Sequence, residues 1–151
     1  MVDVGDKSVT RRRAVARGVF RTTAEVIGLL AAAALPKGDV LATARIAGIM
    51  AAKRTDALIP LCHQIALSSV DVDFAVGADH VEITATVTTS DRTGVEMEAL
   101  TAVAVAGLTL HDMVKAVDRR ACLDGVCLIA KSGGRSGDWH RDAAGGRGGA
   151  R

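Results

Sequence analysis

One ten-residue stretch constrains the fold more than any other. From His80 to Thr89, Val81, Ile83, Ala85 and Val87 alternate with Glu82, Thr84, Thr86 and Thr88. Successive side chains of a strand point to opposite faces, so this segment is a strand with one face buried. Ser69–Val76 alternates in the same way, and Gly77-Ala78-Asp79 supplies a turn between the two. The pair is a β-hairpin. A strand with a clean polar face belongs to a sheet covered on one side.

The segments around the hairpin supply that cover. Thr22 and Thr23 can cap a helix beginning near Glu25, apolar through Leu35 and stopped by Pro36. Asp39 caps a second helix, from Val40 to about Lys53, whose inner face is Val40, Ala44, Ala47 and Ala51. A long helix spans roughly Thr93–Val117, and Val126–Ala130 makes a buried strand. Met1–Val4 and Ala16–Phe20 read as short extended pieces around a basic turn, Arg11-Arg12-Arg13. This order describes an α+β sandwich, a mainly antiparallel sheet with helices packed on one face. Residues 1–141 are expected to form a single domain, and the Gly- and Ala-rich Asp142–Arg151 a disordered tail.

Composition removes several functions. Two Phe, one Trp and no Tyr are too few for a single-strand stacking platform. Nineteen Lys and Arg against 17 Asp and Glu leave a net charge of +2, so no nucleic-acid partner is expected. The core must be built from Ala, Val, Leu and Ile. Such small side chains bury little area each, which points to burial between subunits. No apolar run approaches the 18 or more residues of a membrane span, and no apolar segment follows the arginines as a leader would require. Cys62, Cys122 and Cys127, an odd set, match neither a disulfide framework nor a zinc pattern. The chain reads as cytoplasmic, with no membrane partner.

Four places hold polar groups that a plain α+β domain does not require. Lys37-Gly38-Asp39 opens a helix, where a lysine is misplaced unless an anion joins it; the alternative is a solvated loop lysine. His63, after Leu61-Cys62, is either a satisfied core histidine or a ring lining a pocket. On the long helix, Glu96 and Glu98 suit the N-terminal dipole, while Asp112 and Lys115 lie on one face as a surface ion pair or a proton-transfer pair. Lys131-Ser-Gly-Gly-Arg-Ser-Gly137 is a surface turn or an anion cradle, but not a Walker A loop. Glu98 and Asp112 are 14 residues apart, about 21 Å along an α-helix, with only about 40° of rotation between them. One helix cannot bring both to one small ligand. If both serve one site, a second subunit supplies one of them.

Longer motifs add to this. Met1-Val-Asp-Val4, Lys37-Gly-Asp-Val-Leu-Ala-Thr-Ala-Arg-Ile-Ala-Gly48, Ala52-Lys-Arg-Thr55 and Leu58-Ile-Pro-Leu-Cys-His63 are followed by Thr93-Gly-Val-Glu-Met-Glu-Ala-Leu-Thr101, Asp112-Met113, Lys115-Ala-Val117 and Lys131–Gly137. In this order they closely resemble the molybdenum cofactor biosynthesis protein C family, the cyclic pyranopterin monophosphate synthases, over essentially Met1 to Gly137. The resemblance implies a ferredoxin-like subunit in a homohexamer, a trimer of dimers with active sites at dimer interfaces. It implies the rearrangement of a 3′,8-cyclised dihydroguanosine triphosphate to cyclic pyranopterin monophosphate with release of diphosphate, a phosphorus–oxygen lyase reaction. It places acid/base chemistry on Asp112 and Lys115, with Lys131 also catalytic. Arg12, Lys37, Leu61, Cys62, His63, Glu96, Met97 and Glu98 fall in the substrate pocket.

Under that resemblance Lys37, Lys131, Arg12 and Arg135 hold the triphosphate, and His63 and Glu98 position the base or the ribose. Beside Asp112, the Lys115 pKa is expected to come down only if burial of the pair outweighs the attraction of the carboxylate. No tightly bound cofactor or protein-built metal site is implied; Mg2+ would come with the phosphates. The chain departs from the family at Gln64, where Pro is common, at His111, where Tyr is usual, and at Arg135, where Lys is frequent. None of these removes a proposed catalytic group. The rival readings are a binding module for nucleotides or RNA and a purely structural oligomer.

Overall fold

The computed structural model describes residues 1–141. The expected tail, 142–151, lies outside the described residues. Four long strands, β1 (Thr10–Arg21), β2 (Leu67–Val76), β3 (His80–Asp91) and β4 (Cys122–Ser132), and the short β5 (Trp139–His140) form one sheet in the order β2-β3-β1-β4-β5. All neighbours are antiparallel. Helix α1 (Ala24–Ala31), α2 (Val40–Ala52) and α3 (Thr55–Leu58) lie between β1 and β2, and α4 (Glu96–Val114) lies between β3 and β4. Each crossover skips one strand, the split βαβ arrangement of a ferredoxin-like α+β fold.

The hairpin alternation is realised fully: Val81, Ile83, Ala85, Val87 and Thr89 are buried, and Glu82, Thr84, Thr86 and Thr88 are not. The expected basic turn is instead part of a twelve-residue strand. Arg11, Arg12 and Arg13 pair with Ser90, Thr89 and Thr88 of β3, because β1 runs through the middle of the sheet and its backbone needs partners on both sides. Met1–Val4 is irregular rather than extended in a sheet. Strand β4 is also longer than Val126–Ala130, and it carries Lys131 and Ser132 inside the ladder rather than in the loop beyond it.

The caps are where the side chains put them. Thr23 Oγ1 accepts from the Val26 N–H and Asp39 Oδ1 from the Ala42 N–H. Helix α1 ends four residues short of Leu35. Ala33 adopts a left-handed φ of 51°, while the N–H groups of Ala33 and Ala34 bond the carbonyls of Leu30 and Leu29. That pair of bonds is a Schellman termination. It occurs on alanine, which carries no sequence signal for it, and it turns Leu35 into the core.

Helices α2 and α4 cross at close range. A methyl placed on Gly48 of α2 would sit 2.9 Å from the Ala102 carbonyl oxygen of α4. The inner face of α2 is thus Val40, Ala44, Gly48, Ala51 and Ala52, with Ala47 displaced from it. Helix α4 is 19 residues long and apolar enough by length and composition to cross a membrane. Here it is the core helix, burying Ala99, Ala102, Val103, Ala106 and Leu110 among the residues packed on the sheet.

Candidate active site

The two ends of α4 carry two different clusters. Asp112 lies near the C-terminus, where the helix dipole opposes a carboxylate. Two lysines offset that. Lys115 Nζ lies 2.6 Å from Oδ1, and Lys37 Nζ lies 2.6 Å from Oδ2 and 3.0 Å from the Asp112 carbonyl oxygen. The hydrogen bond from Lys115, then that from Lys37, pulls the Asp112 pKa from 3.8 down to about 2. Lys37, itself exposed, therefore spends its ammonium on Asp112. Both partners of the Asp112–Lys115 pair are half-exposed rather than buried. His111 donates from Nδ1 to the Ala121 carbonyl at 2.9 Å, since a carbonyl can only accept, and this fixes the ring beside Asp112.

At the other end of α4, a cavity of about 330 Å³ is lined by Leu61, Cys62, His63, Glu96, Met97 and Glu98. Glu98 is 4% exposed, and its Oε2 has no hydrogen-bond partner among the described residues. Desolvation, with Glu96 and Asp56 adding repulsion, raises its pKa. Cys62 is raised for the same first reason, which keeps it a thiol and a poor nucleophile. His63 donates from Nε2 to the Val2 carbonyl at 2.8 Å. It is neither a core histidine nor wholly free; the bond ties the N-terminal segment to the cavity and leaves Nδ1 for a ligand.

A narrow cleft lined by Arg12, Glu96, Lys131 and Ser136 continues from that cavity, sharing Gly94 and Glu96 with it. Lys131 Nζ lies 3.5 Å from Glu96 Oε1 and donates to Ser136 Oγ at 2.9 Å. The Arg12 guanidinium is pinned by Nε to the Asp91 carbonyl and Nη2 to the Arg92 carbonyl, both at 3.0 Å. Arg12 thus points into the cleft from the middle of the basic triplet. The cleft opens in turn into a larger cavity of about 700 Å³, sharing Arg12 and Ser136.

The structure therefore joins Leu61, Cys62, His63, Glu96, Met97, Glu98, Lys131 and Arg12 along one groove. It joins Lys37, Asp112 and Lys115 at the far end of α4. Because α4 is continuous between them, the two clusters of one chain are about 21 Å apart along the helix axis.

The sequence profile of the MoaC family matches residues 1–134. The chain belongs to the MoaC family. A relative from Mycobacterium tuberculosis, named cyclic pyranopterin monophosphate synthase 2, is 63% identical over 141 residues, covering 93% of this chain and 84% of its own. Relatives named cyclic pyranopterin monophosphate synthase come from Streptomyces griseus and Chloroflexus aurantiacus. The first is 62% identical over 143 residues, covering 95% of this chain and 81% of its own. The second is 59% identical over 143 residues, covering 93% and 88%. Both clusters of this MoaC-family chain lie inside the matched span.

Proposed function

We propose that this protein is a cyclic pyranopterin monophosphate synthase of molybdenum cofactor synthesis, converting (8S)-3′,8-cyclo-7,8-dihydroguanosine 5′-triphosphate to cyclic pyranopterin monophosphate and diphosphate. The observation that carries this reading is the Asp112 carboxylate held between Lys37 and Lys115, on a chain 63% identical to a synthase of that name. At neutral pH a carboxylate with a pKa of about 2 is ionised. It accepts protons and the ammonium groups donate them. When Lys37 turns to a substrate phosphate, Asp112 loses one of its two hydrogen bonds and becomes a better base.

The groove at the other end suits the rest of the substrate. The buried Glu98 carboxyl and His63 Nδ1 offer hydrogen bonds to the base or sugar, and Arg12 and Lys131 offer charge to the phosphates. Closing the cyclic phosphate forms a bond from a sugar hydroxyl oxygen to the α-phosphorus and breaks the bond to the α–β bridging oxygen. The electron pair leaves with diphosphate and the hydroxyl proton goes to Asp112. This is the balance of a phosphorus–oxygen lyase. Among the described residues no group of three His, Cys, Asp or Glu side chains forms a metal cradle. We assign no step to a metal, and any Mg2+ would arrive with the triphosphate.

A complete site needs both clusters within one small molecule's length, so this reading includes a second copy of the chain, supplying the Asp112 end to its partner's groove. A homohexamer built as a trimer of dimers satisfies that requirement, and the reading includes a cytoplasmic location. The test incubates the purified protein with the cyclised triphosphate and follows diphosphate release and pterin formation together. Both products should form, and Asp112→Asn should slow them by about 10²–10⁴-fold without loss of fold. A folded wild-type oligomer that makes neither product would reject the assignment.

A further inference from the structure

The motif Met1-Val-Asp-Val4 has no part in the roles above. It opens a segment, Met1–Ser8, that is loosely held. No residue before Ala14 belongs to the hydrophobic core, and Met1 and Val2 stand exposed. Inside the segment the Gly5 N–H donates to Asp3 Oδ1 at 2.8 Å and the Lys7 N–H to the Val4 carbonyl at 3.1 Å, so the chain turns there. Among the described residues, its one hydrogen bond to the rest of the protein runs from His63 Nε2 to the Val2 carbonyl, at 2.8 Å.

That bond closes a bridge. Asp6, Lys7 and Ser8 wall the cavity at one end of the groove, where the chain enters β1. His63 lines the cavity at the other end. Six residues separate Val2 from Ser8, a reach of about 20 Å. The segment is therefore tied at both ends along the groove. A hydrogen bond contributes about 1 kcal/mol, whereas fixing the backbone of each residue costs about 1–2 kcal/mol. A bridge with this single tie opens and closes.

The bond also sets the chemistry of the ring. A peptide carbonyl only accepts, so Nε2 carries the hydrogen, and Nδ1 of the neutral ring is then a bare acceptor. We infer that Met1–Ser8 is a strap across the substrate groove and that its Val2 carbonyl positions His63, presenting Nδ1 as an acceptor to an N–H or O–H of the ligand. The inference rests on the synthase reading for the ligand, whose base and sugar carry such groups. Strap and ligand hold opposite nitrogens of one ring, so each orders the ring for the other. Without the strap, part of the binding free energy goes into reordering His63. Val2 is thus a positioning residue, acting on the substrate through His63.

The test has two arms. The first uses no ligand and follows amide hydrogen exchange at Gly5 and Lys7 by NMR. His63→Ala removes the donor and should speed exchange by about fivefold. His63→Gln keeps a side-chain N–H at a similar reach and should stay within about twofold of the wild type. In the second arm, a variant lacking Met1–Val4 retains every core residue and should unfold at the wild-type temperature. With the cyclised triphosphate its KM should rise by about fivefold while kcat stays within about twofold, because His63 and the reacting groups are all present. Asp3→Ala, which removes the turn bond to Gly5 in the full-length chain, should raise KM in the same direction by about twofold. Equal exchange in wild type and His63→Ala, or an unchanged KM in both strap variants, overturns the inference. A wild type without turnover rejects the synthase reading instead, and the exchange arm then decides the strap by itself.

Discussion

Lys37 and Asp112, 75 residues apart, tie the turn before α2 to the end of α4: one ammonium bonds both the carboxylate, at 2.6 Å, and the carbonyl oxygen, at 3.0 Å, of a single residue. The carbonyl belongs to the last turn of α4, whose acceptors have no partner within the helix. Lys37 thereby satisfies a helix end and a misplaced carboxylate together. Any ligand anion that draws Lys37 away exposes both, which couples substrate binding to the basicity of Asp112.

The Asp112 carboxyl should titrate near pH 2 by carbon-13 NMR. In Lys115→Met its midpoint should rise toward 3.8, since the largest cause of the shift is removed. Because the folded value is lowered, the associated stability is present above pH 3.8 and is lost as pH falls from 3.8 to about 2. Solvent screening keeps that contribution small at an exposed pair. A midpoint that stays put in Lys115→Met contradicts the pairing.

Glu98 has the opposite sign. Its folded pKa is raised above 4.5, so its stabilising balance is complete below pH 4.5 and is lost as pH rises through the folded value. Glu98→Gln keeps the shape and removes the ionisation. Its unfolding temperature should match the wild type at pH 4 and exceed it by roughly 2–4 °C at pH 8. A constant difference between the two proteins across that range would show that the carboxyl is not desolvated.

Separate clusters at the two ends of α4 predict complementation. Asp112→Asn and Lys131→Met proteins, each inactive alone, should regain turnover when unfolded together and refolded. A two-fold pair with two shared sites leaves about a quarter of all sites intact after random pairing. Recovery near that level supports a composite site. No recovery in mixed oligomers of normal size would place both clusters in separate roles.

Gly48→Ala tests the helix crossing that sets the distance between α2 and α4. The added methyl meets a backbone oxygen at 2.9 Å and Val72 Cγ2 at 3.3 Å, so the helices must part. Overpacking, partly offset by the better helix propensity of alanine, should cost about 1–2 kcal/mol in a denaturant titration. Stability equal to the wild type would mean the crossing is looser than this geometry.

The elements legible in the sequence were those whose signals are local. The alternation of Val81–Val87 with Glu82–Thr88 reports a one-sided strand without reference to anything else. Thr23 and Asp39 cap helices with atoms three residues away. The site residues were recognisable by type and by motif, and the 21 Å separation of Glu98 and Asp112 followed from helix geometry alone. Arg11–Arg13 misled because three arginines look like a loop; a central strand accepts them when their side chains reach its end and its edges.

By itself the sequence determined the hairpin, the two capped helices and the chemical inventory of the site, because period, capping and helical rise are properties of a few consecutive residues. Only the tertiary structure decided which of those groups meet. It put Lys37 on Asp112, His63 on the carbonyl of Val2 61 residues away, and Glu98 Oε2 and Thr10 Oγ1 out of reach of any partner among the described residues. The reason is that burial and long-range hydrogen bonds are set by how α4 and the N-terminal segment pack on the sheet. That packing depends on every strand being in register, not on any one stretch of chain.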